Sequence, residues 1–211
     1  MKILDISSLA FQEIKVLKFA RFKDDRGYFT ETYRKTDFVD ANGLECLENV
    51  QFVQNNESYS RAGVIRGMHF QWNPCMGKLV RTLSGRMVDL VLDIRPGSPT
   101  LGRIIAFDMP ADTDRDFDQW IWVPPGFAHG NYFTEPTRIE YYCSSAYSPG
   151  FEAGISPLST DLDWSLCDCR LRDEFKSLAA GEYLISDKDR QAQSLKQWLD
   201  GEQASIFKYG S

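Results

Sequence analysis

His69 and His129 are the only histidines in a chain of 211 residues. His69 stands in "GVIRGMHFQW", three positions after Arg66 and two before Gln71. An imidazole, with an ordinary pKa near about 6.5, can take or give a proton at neutral pH. Other polar residues recur where strands should bury apolar ones. "DDRGYFTETYR" supplies Asp25, Arg26 and Glu31, and "FVQNNESYS" supplies Gln54, Asn56 and Ser58. Lys78 in "GKLVR", His129 in "FAHGN" and Tyr141 in "IEYYC" complete the set. The chemistry open to it is proton transfer beside anion binding by a few local cations. Taken singly, each residue also reads as a hydrogen-bonded core histidine, a packed tyrosine or a solvated cation. Arg66 and His69 would face opposite sides of a regular strand, unless Gly67 allows a bulge that turns both inward. Metal binding is not expected. A site wants three or four ligands, there is no His-x-His, and the Cys167-x-Cys169 pair has no second pair near it.

The elements that must position these groups read as strands. In "KLVRTLSGRMVDLVLDIR", Val88, Leu90, Leu92 and Ile94 alternate with Met87, Asp89, Val91, Asp93 and Arg95, the period of a strand with one apolar face. "LVRTL" precedes it across a Ser84-Gly85 turn, and "GRIIAFDM", "DQWIWV" and "TRIEYYCSSAY" follow. Pro124-Pro125-Gly126 interrupts the ladder because proline donates no N–H. Short strands punctuated by Gly and Pro predict a sandwich or barrel. "CRLRDEFKSLA" and "DKDRQAQSLKQWLDGE" predict helices, with Leu195, Trp198 and Leu199 packing on the outside of the β domain. We expect one domain over 1–211, with its β core at roughly 14–165 and a helical region at roughly 166–205.

With 24 Lys and Arg against 30 Asp and Glu, the net charge is −6. That argues against a nucleic-acid binder, which normally presents a basic face. No apolar run approaches a membrane span, and no signal peptide is read at the start. Five irregularly spaced cysteines fit a reduced, cytoplasmic protein.

Six stretches in order carry a family resemblance: "DDRGYFTETYR", "VQNNESYSRAGVIRGMHFQ", "GKLVRTLSGRMVDLVLDIRPGSPTLG", "WVPPGFAHG", "YYCSSAYSPGFEAGISPL" and "LISDKD". Over roughly residues 14–190 the chain resembles the dTDP-4-dehydrorhamnose 3,5-epimerases. The resemblance implies a mainly β, cupin-type double-stranded jelly roll with peripheral C-terminal helices, a homodimer, and a site without metal or cofactor. It implies a nucleotide-diphosphate sugar as partner, dTDP-linked, whose 4-keto-6-deoxyhexose is inverted at C3, C5 or both in deoxysugar biosynthesis. In that reading His69 is the base, Lys78 stabilises the charge developing on the C4 oxygen, and Tyr141 returns a proton to the opposite ring face. Arg26, Glu31, Gln54, Asn56, Arg66, His129 and Glu152 match positions that line the substrate cleft.

The sequence departs from the family in three places. The family pairs its base with an aspartate. Aligned through "GISPLSTDLDW", that position holds Ser159, with Asp161 two residues on as a substitute. Glu57 and Tyr59 replace basic or histidine residues. The turn after His129 leaves Tyr142 as a fallback for Tyr141. The missing aspartate keeps two alternatives open, a non-catalytic sugar-nucleotide binder and a 3,4-ketoisomerase.

Overall fold

The structure is a computed structural model that describes residues 1–39 and 41–210. Its strands are β1 (Ile3–Ser8), β2 (Lys15–Ala20), β3 (Phe22–Asp24), β4 (Gly27–Phe29), β5 (Gln54–Ser60), β6 (Ile65–Gln71), β7 (Lys78–Ser84), β8 (Arg86–Asp93), β9 (Ile104–Pro110), β10 (Phe117–Val123), β11 (Phe127–Tyr132), β12 (Thr137–Cys143) and β13 (Glu152–Ile155). Helix α1 (Lys35–Val39) precedes β5; α2 (Cys169–Ala180), α3 (Asp187–Arg190) and α4 (Leu195–Leu199) follow β13. A six-stranded sheet, ordered β1-β2-β10-β7-β12-β5, faces a five-stranded sheet ordered β13-β6-β11-β8-β9, and β3 and β4 form a separate hairpin. This is the expected cupin-like double-sheet jelly roll.

Apolar side chains fill three layers. Val80, Met87, Val91, Ile105, Ile121 and Ile139 belong to the cluster between the sheets. Val88, Leu90, Leu92 and Ile94 join Leu171, Phe175, Leu195 and Trp198 on the outside of the five-stranded sheet. Leu17, Leu79 and Trp120 pack with Phe38, Leu44 and Leu47 on the outside of the six-stranded sheet. Each such fully buried side chain contributes about 1.5–3 kcal/mol. The regular apolar face of β8 therefore serves the helices. Its inner face alternates Met87 and Val91 with the fully buried Asp89 and Asp93, which leaves room for polar chemistry inside.

Three expectations about elements are corrected. Residues after Pro124-Pro125-Gly126 form β11, buried along its whole length. The turn, with Gly126 at φ +92°, ends β10 at Val123 as expected and carries the chain to the other sheet. "DKDRQAQSLKQWLDGE" is two short helices, each with its own N-cap: Ser186 accepts from the Asp189 N–H, and Ser194 with Gln197 forms a capping box. Between them Gln193 bridges to Ile155 beside the sheet. The β structure also starts before residue 14, since β1 pairs with β2. No helix among the described residues is long and apolar enough to cross a membrane.

Candidate active site

A bulge on β6 builds the site. His129 pairs with His69 and Asn131 with Arg66, so three steps on β6 match two on β11. The extra residue turns Arg66 and His69 to the same side, as Gly67 permits. Gly67 is required for a second reason. A Cβ there would lie 2.8 Å from the Asp189 carboxylate, and the Gly67 N–H donates to Asp189 Oδ2 at 2.9 Å. Asp189 enters from α3, 120 residues along the chain from His69, and its Oδ1 lies 2.6 Å from His69 Nε2.

Burial alone would raise the Asp189 carboxyl; the bonds from His69 and the Gly67 N–H outweigh it and hold the pKa down to about 2. The carboxylate is thus ionised at neutral pH. It accepts from Nε2–H, which leaves the lone pair of a neutral His69 ring on Nδ1. A carboxylate behind an imidazole orients the ring and fixes its tautomer. The partner expected at Ser159 or Asp161 is therefore Asp189. Ser159 Oγ instead donates to Asp161 Oδ1 at 2.6 Å, and Asp161 Oδ2 accepts from the Lys196 N–H at the start of α4, so both are occupied in joining the loop to that helix.

His69, Lys78 and Tyr141 line a cavity of about 430 Å³ between the sheets. A smaller cavity of about 120 Å³, lined by the same three residues with Arg66 and His129, lies beside it. His69 belongs to the five-stranded sheet, and Lys78 and Tyr141 to the six-stranded one, so the imidazole faces the ammonium and the phenol from opposite walls. Lys78 sits directly across from Cys143 in the β7–β12 ladder. Burial pushes its ammonium below the ordinary lysine range, partly offset by Cys143, Asp89 and Glu152. Burial also raises the Tyr141 phenol, which keeps its proton available at neutral pH. Tyr142 points to the outer face, packed on Tyr33, Phe52 and Trp120.

Gln54, Asn56 and Glu152 line the larger cavity. Gln54 Nε2 donates to Asn56 Oδ1 at 3.1 Å, and Glu152 pairs with Lys188 at 2.6 Å. Arg66 is held by Ser60 Oγ and the Tyr59 carbonyl. His129 Nε2 donates to the buried Asp89 Oδ1 at 2.5 Å. Glu57 lies at the cavity edge, paired with Arg138 at 2.7 Å. Two expected cleft residues are elsewhere in the single chain. Arg26 is on the β3–β4 hairpin, 88% exposed and paired with Asp24, because that hairpin stands apart from both sheets. Glu31 is taken by the N-terminal ammonium and Arg34. Asp189, Asp89, Lys188, Tyr147 and Cys143 were not anticipated. Asp189 and Lys188 were within reach, since "LISDKD" is one of the stretches that carries the resemblance.

The fold and cleft define a class: cupin-like jelly rolls with a polar interior suited to moving protons on and off a bound ligand. The chain belongs to the dTDP-4-dehydrorhamnose 3,5-epimerase family, whose model matches residues 8–197. The dTDP-4-dehydrorhamnose 3,5-epimerase of Pseudomonas aeruginosa is 34% identical over 189 residues, 88% of this chain and 93% of that protein. The dTDP-6-deoxy-D-glucose-3,5-epimerase of Legionella pneumophila, solved with dTDP-4-keto-L-rhamnose, superposes with a TM-score of 0.77 at 30% identity, covering 98% of this chain and 99% of that one. A 3'-monoepimerase of Streptomyces bikiniensis, solved with dTDP-quinovose, gives 0.70 at 26% identity, covering 95% and 90%.

Proposed function

We propose that this protein epimerises a dTDP-linked 4-keto-6-deoxyhexose at C3, C5 or both, as an isomerase of deoxysugar biosynthesis. The observation that carries this reading is the His69–Asp189 pair on one wall of a cavity whose opposite wall holds Lys78 and Tyr141. A hydrogen next to a ketone is weakly acidic. His69 Nδ1 removes it, and the electron pair moves into an enolate whose oxygen the Lys78 ammonium stabilises. Tyr141 then protonates the same carbon from the other face, which inverts it. No cofactor enters this sequence. Gln54, Asn56, Arg66, His129 and Glu152 bind the sugar nucleotide in this reading, with Arg66 suited to its phosphates. Asp189 removes the reason for a non-catalytic binder, and the epimerase relatives do not favour a 3,4-ketoisomerase.

We further propose a homodimer, supported by the exposed Phe22, Tyr28 and Phe29 of the β3–β4 hairpin. Arg26 and Glu31 remain in the proposal only as residues completed by such an interface. A cytoplasmic location is supported by five free cysteines.

Incubation with the keto-sugar nucleotide in D₂O, followed by NMR, tests the reaction. Deuterium at C3, C5 or both in an inverted product is expected. Absence of exchange with dTDP-linked 4-keto-6-deoxyhexoses would overturn the assignment.

A further inference from the structure

Gln71 is a buried amide on the edge of the cavity, and the role given to it below rests on the proposed epimerase function. Gln71 is two residues after His69 on β6, so both side chains face inward, and both line the larger cavity. The residue is 3% exposed. Its Nε2 lies 2.9 Å from the Pro74 carbonyl, 3.0 Å from the Ala146 carbonyl and 3.3 Å from Ser145 Oγ. Its Oε1 accepts from the Ser148 N–H at 2.8 Å. The amide orientation is unambiguous, because a flipped side chain would set its oxygen against two carbonyls. Ser145, Ala146 and Ser148 belong to the loop that leaves β12, the strand of Tyr141. This one side chain therefore ties the strand of the base, in one sheet, to the loop after the strand of the acid, in the other.

We propose that Gln71 is a positioning residue: an inter-sheet brace that fixes the separation of His69 and Tyr141 across the sugar ring. Proton removal needs only His69 and Lys78. Inversion needs Tyr141 at the opposite face at the same distance in every turnover. Loosening the brace lets the enolate persist and regain a proton from the His69 side, which returns the starting configuration.

The test is the partition of the enolate in D₂O. The measured quantity is the ratio of deuterated, uninverted substrate to inverted product, for wild type, Gln71→Met and Gln71→Glu. Gln71→Met removes every bond of the brace; Gln71→Glu keeps the acceptor for Ser148 and loses the donors. The ratio should rise about tenfold or more in both variants, since Gln71→Glu sets an oxygen against the two carbonyls that Nε2 now satisfies. Because it is a ratio, it does not depend on how much of a variant folds, so partial instability leaves it readable, and Gln71→Glu serves where Gln71→Met is insoluble. A ratio within about twofold of wild type, however low the total activity, would overturn the brace and leave the epimerase reading standing. No deuterium uptake by wild type would remove the epimerase reading and the brace together.

Discussion

Asp189 receives two donors, the His69 Nε2–H and the Gly67 N–H, and it is the group on which the proposed base depends most. With a folded-state pKa of about 2 against an ordinary 3.8, its contribution to stability is fully present above the ordinary value and is lost as the pH falls through about 2. Asp189→Asn keeps the shape but can present an amide N–H to Nε2, favouring the tautomer that places a proton on Nδ1. We expect kcat to fall by about 100-fold or more with KM little changed, measured by steady-state kinetics on the keto-sugar nucleotide. Ser159→Ala, in contrast, should leave both constants within about twofold, because Ser159 contacts Asp161 and not the imidazole. A large loss in Ser159→Ala with none in Asp189→Asn would reverse this assignment.

Helix α3 has four residues, far below the length at which a helix is stable by itself. It persists because its flanks are joined to the sandwich. Leu184 exchanges backbone hydrogen bonds with Gly63 and Ile65, and Gln193 accepts from Ser156. The Ser186 cap then sets the first turn and with it Asp189. Ser186→Ala should cost about 1 kcal/mol of stability, seen as a lower thermal midpoint, and should lower kcat at least severalfold in the folded fraction. Unchanged kcat would show that the flanking bonds suffice. The same element shows what a sequence conceals. β8 was legible from alternation, β7, β9, β10 and β12 as short strands punctuated by Gly and Pro, and His69, Lys78 and Tyr141 from their place in family motifs. Asp189 was legible only as the last residue of the "LISDKD" motif, because by itself a carboxylate in "DKDRQ" looks like any solvated charge until β6 is folded against it. β11 was hidden because it is buried on both faces and has no alternation to read. The two short helices were merged because the spacing of Leu195, Trp198 and Leu199 outweighed the caps at Ser186 and Ser194.

Over the whole molecule, the β3–β4 hairpin exposes Phe22, Tyr28 and Phe29, with Phe29 67% accessible. Clustered exposed aromatics on a projecting element favour an interface. Phe29→Asp should yield a monomer by light scattering, with a thermal midpoint close to that of wild type because the side chain is outside every buried cluster. A wild-type monomer at micromolar concentration would refute the dimer.

Apolar packing on the exterior of both sheets has a consequence for adaptation. The sandwich is stiffened largely by its cladding, so the hollow end can accumulate polar groups that would ruin an ordinary core. Heat tolerance and substrate choice are thereby placed in different layers. Away from α3, whose Asp189 and Lys188 reach the lumen, a lineage can harden the coat, or re-tailor the lumen, with little trespass of one upon the other.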